Sequence, residues 1–132
     1  MFVKEFSYQP AEKNLADAAT FLEGAVHSEA ILAFIHVEEQ DEEHDIRSRE
    51  KKLVNHLRWV CRKNNCQQII LHSFAHLSAS KASAAFTQNL FNEAEVRLKN
   101  AGFVTGQTPF GYFLDLKIEA PGYSLARIWA EL

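Results

Sequence analysis

Residues 67–80 read QQIILHSFAHLSAS, and this stretch decides the fold predicted for the chain. Its apolar run, 69–71, has the composition of a buried strand, and it passes into a polar loop with two histidines and three serines. A helix is predicted over 86–98, where apolar residues recur at intervals of four. Because ligand sites in sheet-and-helix domains tend to lie where strands end in loops, the loop is predicted to belong to a functional site.

Two strands and a long helix are predicted before this stretch. Residues 2–8 alternate loosely and end at Pro10, and the continuous apolar run 30–37 is typical of a strand buried on both faces. The helix is predicted over 41–63, because its apolar residues recur at helical intervals, at Ile46, Leu53, Leu57 and Val60. The acidic residues at its start suit the positive end of the helix dipole. Residues 11–23 fit either a short helix or an ordered loop.

The C-terminal part of the chain adds two more strands. Residues 103–105 are predicted to form a short strand, 106–109 a turn and 111–119 a longer strand, and Ser124 can cap a last short helix. This order of elements predicts an α/β fold, with a mixed β-sheet and packed helices in a single layered domain over residues 1–132.

Composition and charge narrow the class of protein. The chain has 132 residues, of which 47% are hydrophobic and 23% charged, as in independently folding domains. A net charge of −3 provides no overall positive field to attract nucleic acid, so any RNA contact is expected to be local. There is no apolar run of membrane-spanning length and no signal peptide, which predicts a cytoplasmic protein without a membrane partner and with free thiols at Cys61 and Cys66.

The two histidines of the stretch raise the question of metal or hydrolase chemistry. His72 and His76 straddle a strand end, and no cysteine or carboxylate nearby completes a zinc set, so no metal or other cofactor is predicted. Ser78 or Ser80 with His76 would suit a hydrolase triad, yet the GxSxG pattern is absent. By themselves the residues predict a site at His76 and 110–113, without a specific reaction.

Five segments resemble, in the same order, the N-terminal editing domain of archaeal threonyl-tRNA synthetase. SFAHLS at 73–78 is similar to the family's PFAHLSS, and TPFGYFLDLKI at 108–118 is similar to its APFGYYKAFKI. The other three are FSYQP at 6–10, AFIHVE at 33–38 and GYSLA at 122–126. The resemblance spans nearly the whole chain and implies the homodimeric α/β fold that this domain shares with D-aminoacyl-tRNA deacylases.

The resemblance also implies a reaction and its substrate. The family removes serine wrongly attached to threonine tRNA, because a pocket that accepts threonine rejects the smaller serine by no more than roughly 10- to 200-fold. It implies His76 as the catalytic side chain and no cofactor. The residues implied to bind the CCA end of the aminoacyl-tRNA are Val37, Ala75, Pro109, Phe110 and Tyr112. The alternative for His76 is a loop histidine bound to backbone, and for Phe110 and Tyr112 a place in the core.

Two positions depart from the family's pattern. The family has a lysine three residues after the glycine of its FGY segment, where this chain has Leu114, and a glutamate in the final helix, where it has Arg127. Lys117 is no obvious replacement, because a separation of three on a strand places it on the opposite face. Three interpretations stay open: a free-standing domain that edits in trans, an inactive relative that acts as a binding module, and a split part of a threonyl-tRNA synthetase.

Overall fold

A computed structural model describes residues 1–21 and 23–132 of the chain. Its strands are β1 (Phe2–Lys13), β2 (Ala25–Ile35), β3 (Gln68–Ser73), β4 (Val104–Gln107) and β5 (Tyr112–Glu119). Its two α-helices are α1 (Ile46–Lys63) and α2 (Ala84–Asn100), and short 3-10 turns occur at Glu39–Glu43 and Ser124–Ala126. None of the helices in the described part of the chain is long and apolar enough to cross a membrane.

The five strands form one sheet in the order β4-β3-β2-β1-β5. β2, β3 and β4 run parallel, whereas β1 is antiparallel to both β2 and β5. The prediction of an α/β fold with a mixed sheet and packed helices is therefore confirmed. The three parallel strands end at the same edge, because Ala33 is aligned with Leu71, and Leu71 with Gln107. The segments that follow β2, β3 and β4 consequently leave the sheet side by side.

Both faces of the sheet are covered. Ile31 and Ala33 of β2 join the larger core cluster together with side chains of α1 and α2, whereas Ala30 and Leu32 join a smaller cluster. Neighbouring side chains of a strand point to opposite faces, so this division confirms the prediction of a strand buried on both sides. Cys61 and Cys66 are buried free thiols, as predicted, and burial raises the pKa of Cys61 to about 12.

β1 continues past Pro10, contrary to the prediction. Its ladder with β2 ends at Tyr8, whereas its ladder with β5 continues to Lys13, with a register shift between Pro10 and Glu12. Such an irregular position accommodates proline, which cannot donate a ladder hydrogen bond. The helical alternative for 11–23 is also wrong for the described residues, which form the end of β1 and a loop. Residue 22 of that segment lies outside the described residues.

Three further boundaries differ from the predicted ones. The acidic run forms a 3-10 turn, and α1 begins only at Ile46 because the carboxylate of Asp45 accepts a hydrogen bond from Arg47 N and caps the helix. Gly106 and Gln107 belong to β4 instead of to a turn. Ser124 lies inside the last 3-10 turn, which ends at Ala126 and does not continue as a helix.

Candidate functional site

The loop after β3 is attached to the residues that follow β2. Phe74 N donates to Ile35 O at 2.9 Å and extends the ladder between the two strands by one bond. At the other end of the loop, Ala82 N donates to Val37 O at 2.9 Å. Val37 itself is buried. The loop therefore starts and ends on the same short segment of backbone.

His36 closes the middle of this loop through both nitrogens of its ring. Leu77 N donates to His36 Nδ1 at 3.0 Å, and His36 Nε2 lies 2.6 Å from Ser80 O. A carbonyl oxygen only accepts, so Nε2 is the donor to Ser80 O, and Nδ1 is the acceptor for Leu77 N–H. The prediction did not include His36. The sequence offered two signals, the position of His36 after a buried strand and its place in the AFIHVE segment, but both partners lie more than 40 residues away.

His76 lies at the exposed part of the same loop. Its ring contacts Phe74 edge to face, with ring centroids 4.9 Å apart. Ala75 beside it is also exposed. Within the described residues the imidazole of His76 makes no hydrogen bond. The alternative role, a histidine bound to the backbone of the loop, belongs to His36. The His76 ring is thus available to a ligand.

The turn between β4 and β5 is joined to β3 by a buried side-chain hydrogen bond. His72 Nδ1 lies 2.9 Å from Thr108 Oγ1, and Thr108 N donates to Leu71 O at 3.0 Å. Loss of hydration in this buried position lowers the pKa of His72 to about 4, so its ring is neutral at pH 7. Pro109 is buried in the turn after β4, and the ring of Phe110 packs edge to face on Phe91 of α2, with ring centroids 6.4 Å apart.

Tyr112 binds the segment that follows β1. Its hydroxyl accepts a hydrogen bond from Phe21 N at 3.0 Å, and the two rings pack edge to face at 5.9 Å. Gly111 just before it has φ +85, and a Cβ added at this position would lie 2.7 Å from the Cβ of Ala18. Leu114, at the position of the family's lysine, is half-buried on β5 opposite Pro10.

A cavity of about 780 Å³ opens between the end of β2, α1, the loop after β3 and residues 127–132. Of the predicted site residues, Val37 lines this cavity. Ala75 and His76 lie in the loop whose neighbouring residues Phe74 and Leu77 form part of its wall. The predicted residues of the β4–β5 turn and β5 do not line it.

The charged lining of the cavity is mixed, with Arg49, Lys52 and Arg127 beside Glu38, Asp41 and Glu131. Arg49 Nη1 reaches Asp41 and Leu132 O, each at 3.4 Å, while its Nε is buried with no hydrogen-bond partner in the described part of the chain. Arg127, at the position of the family's glutamate, also lines the cavity and donates from Nη1 to Pro121 O at 2.7 Å. No three His, Cys, Asp or Glu side chains among the described residues are grouped as a metal site requires.

Comparison with known proteins identifies the family. A family model described as the archaea-specific editing domain of threonyl-tRNA synthetase matches residues 1–132. The threonine-tRNA ligase of Pyrococcus furiosus is 31% identical over 100 residues, which cover 76% of this chain and 16% of the ligase. That of Cenarchaeum symbiosum is 27% identical over 119 residues, which cover 90% of this chain and 18% of the ligase. The chain thus spans less than a fifth of the length of these relatives. It belongs to the family of archaea-specific editing domains of threonyl-tRNA synthetase.

Proposed function

We propose that the chain is an aminoacyl-tRNA deacylase that hydrolyses mischarged seryl-tRNA(Thr) in trans. The observation that supports this most directly is the exposed ring of His76, free of hydrogen bonds within the described residues, on a loop attached to β2 beside the cavity. Family membership supports the substrate class, a tRNA carrying the wrong amino acid. A second copy of the chain and a threonyl-tRNA synthetase are the proposed protein partners, and the cytoplasm the proposed location.

Hydrolysis of the ester needs a positioned water and a place for its proton. The water oxygen adds to the carbonyl carbon of the seryl ester while its proton passes to the imidazole of His76. The bond between that carbon and the ribose oxygen then breaks, and the ribose oxygen takes the proton back. Serine and tRNA(Thr) are the products. In this proposal the CCA end contacts Val37 and Ala75 near the cavity, and Pro109, Phe110 and Tyr112 from the neighbouring turn.

A binding module without catalysis is the second candidate function. Two substitutions favour it, because the polar groups that the family carries at these positions are absent. Leu114 supplies no ammonium group, and the guanidinium of Arg127 is bound to Pro121 O. A split part of a threonyl-tRNA synthetase would fit the small share of the ligases that the chain matches.

The test is deacylation of seryl- and threonyl-tRNA(Thr) by the purified chain at low salt, against a reaction without protein. Selective release of serine is the expected result. His76→Ala should slow it by about 100-fold or more, the range of general acid-base catalysis. His27→Ala, which removes an imidazole near the start of β2, is the control and should keep its activity. No acceleration with either substrate would instead favour the binding module.

A further inference from the structure

Positive charge is concentrated on one helix of this acidic chain. Seven of the 14 lysines and arginines lie in the 18 residues of α1, together with only one of the 17 acidic residues. The helix thus carries a formal charge of +6, and the rest of the chain −9. The overall net charge of −3 conceals this separation.

The basic side chains are exposed and unpaired. We define the basic face of α1 as its six exposed lysines and arginines: Arg47, Lys51, Lys52, Arg58, Arg62 and Lys63. None of them takes part in an ion pair within the described residues. The single acid of the helix, Glu50, is only 2% exposed and is paired with Arg97 of α2. It therefore does not neutralise the basic face.

Four of these side chains form a row along the helix. At 3.6 residues per turn, Arg47, Lys51, Arg58 and Arg62 fall within about 60° of one another and extend over about 22 Å. Helix stability explains only Arg62, which lies in the last turn and suits the negative end of the helix dipole. A cation at Arg47, in the first turn, faces the positive end of the helix dipole, and like charges four residues apart repel each other.

An aromatic ring accompanies the charges. Trp59 is 37% exposed, with Lys63 Nζ 5.9 Å from its ring centroid and the His56 ring stacked at 5.9 Å. Exposed aromatic rings among cations are typical of surfaces that bind single-stranded nucleic acid, where bases stack on them. Lys52 and His56 also line the cavity, so the basic face adjoins it.

We propose that the basic face of α1 binds the sugar-phosphate backbone of the acceptor arm of a tRNA and so directs its 3′ end into the cavity. The inference rests on the proposed function, which makes the substrate an RNA. A row of cations matches a polyanion that runs along the helix. An extended anionic membrane fits less well, since it would also meet the acidic turn Glu39–Glu43 just before α1.

Two variants with equal loss of charge test the proposal. Arg47→Gln/Lys51→Gln/Arg58→Gln removes three cations from the basic face, and Lys4→Gln/Lys13→Gln/Lys117→Gln removes three exposed cations from β1 and β5. Binding of unacylated tRNA(Thr) is measured by fluorescence anisotropy over a range of salt concentrations. The α1 variant should bind at least about 10-fold more weakly. The slope of log K against log salt concentration should also become shallower, by the equivalent of about two to three released counterions. The control variant should stay within about threefold of the parent chain.

Three outcomes would overturn the proposal. They are an equal effect of both variants, no effect of either variant, and binding of the parent chain to phosphatidylserine vesicles but not to tRNA(Thr). Thermal unfolding monitors the fold, and neutralising a repulsive row should not lower the melting temperature. The proposed reaction and the proposed docking surface can be refuted independently of each other. Binding of tRNA through α1 without deacylation would refute only the proposed reaction, whereas deacylation that the α1 variant retains in full would refute only the docking surface.

Discussion

His72 and Thr108 form a hydrogen bond of 2.9 Å between Nδ1 and Oγ1 in the buried part of the protein. The two residues are 36 positions apart and lie at the ends of the neighbouring parallel strands β3 and β4. This bond connects the start of the family-like segment 108–118 to the residue just before the family-like segment 73–78. It also holds the turn with Pro109 and Phe110 against the loop that carries His76.

The first prediction concerns the pH dependence of stability. Burial lowers the pKa of His72 from 6.5 to about 4, so between these values the unfolded chain binds a proton that the folded chain does not. The free energy of unfolding should therefore fall as the pH drops through this window, by up to roughly 3 kcal/mol from this residue. Urea unfolding at several pH values measures it. His72→Gln should flatten the profile, and an unchanged slope would contradict the assignment.

The second prediction concerns the partner of His72. Thr108→Val leaves the buried Nδ1 without its hydrogen bond and should lower the free energy of unfolding by about 1–3 kcal/mol. Thr105→Val is the matched control, because Thr105 is similarly buried on β4 but its hydroxyl reaches only Phe103 O, at 3.3 Å. Chemical denaturation of both variants near pH 7 provides the comparison. Equal losses would mean that the bond to His72 contributes nothing specific.

The third prediction compares two glycines with positive φ. A Cβ on Gly111 would lie 2.7 Å from the Cβ of Ala18, whereas one on Gly102 would meet nothing within 4 Å. Gly102→Ala should cost about 1 kcal/mol, through backbone strain alone. Gly111→Ala adds a steric overlap and should cost about 2–4 kcal/mol in total. Melting temperatures of the two variants rank these costs, and a smaller loss at Gly111 would contradict the packing described.

The fourth prediction concerns the loop that carries His76. His36→Ala removes the acceptor of Leu77 N–H and the donor to Ser80 O, so the loop should open more often. Hydrogen exchange followed by mass spectrometry should then show faster exchange in residues 74–80, with β3 unchanged. His44→Ala serves as the control, since His44 is exposed and its side chain makes no hydrogen bond to this loop. Protection equal to that of the parent chain would show that His36 does not hold the loop.

Local patterns were enough to predict most of the secondary structure. A strand or helix of the fold corresponds to each of the runs 30–37 and 67–73 and to the helical spacing of 86–98. This is because the spacing of apolar residues along the sequence reflects which side chains a strand or helix buries. The predictions failed at Pro10 and, for the helical alternative, over the described residues of 11–23. There the outcome depends on β5, a strand about one hundred residues away that extends β1 beyond its pairing with β2.

The sequence by itself determined the fold class, the family and the concentration of basic residues between positions 46 and 63, since these depend on composition and order. The tertiary structure alone decided which side chains meet. The bonds of His36 to the loop, of His72 to Thr108 and of Tyr112 to Phe21 N join positions 36 to 91 residues apart. They form because the sheet order brings strand ends together, and the same packing buries Glu50 while leaving six cations of α1 in solvent.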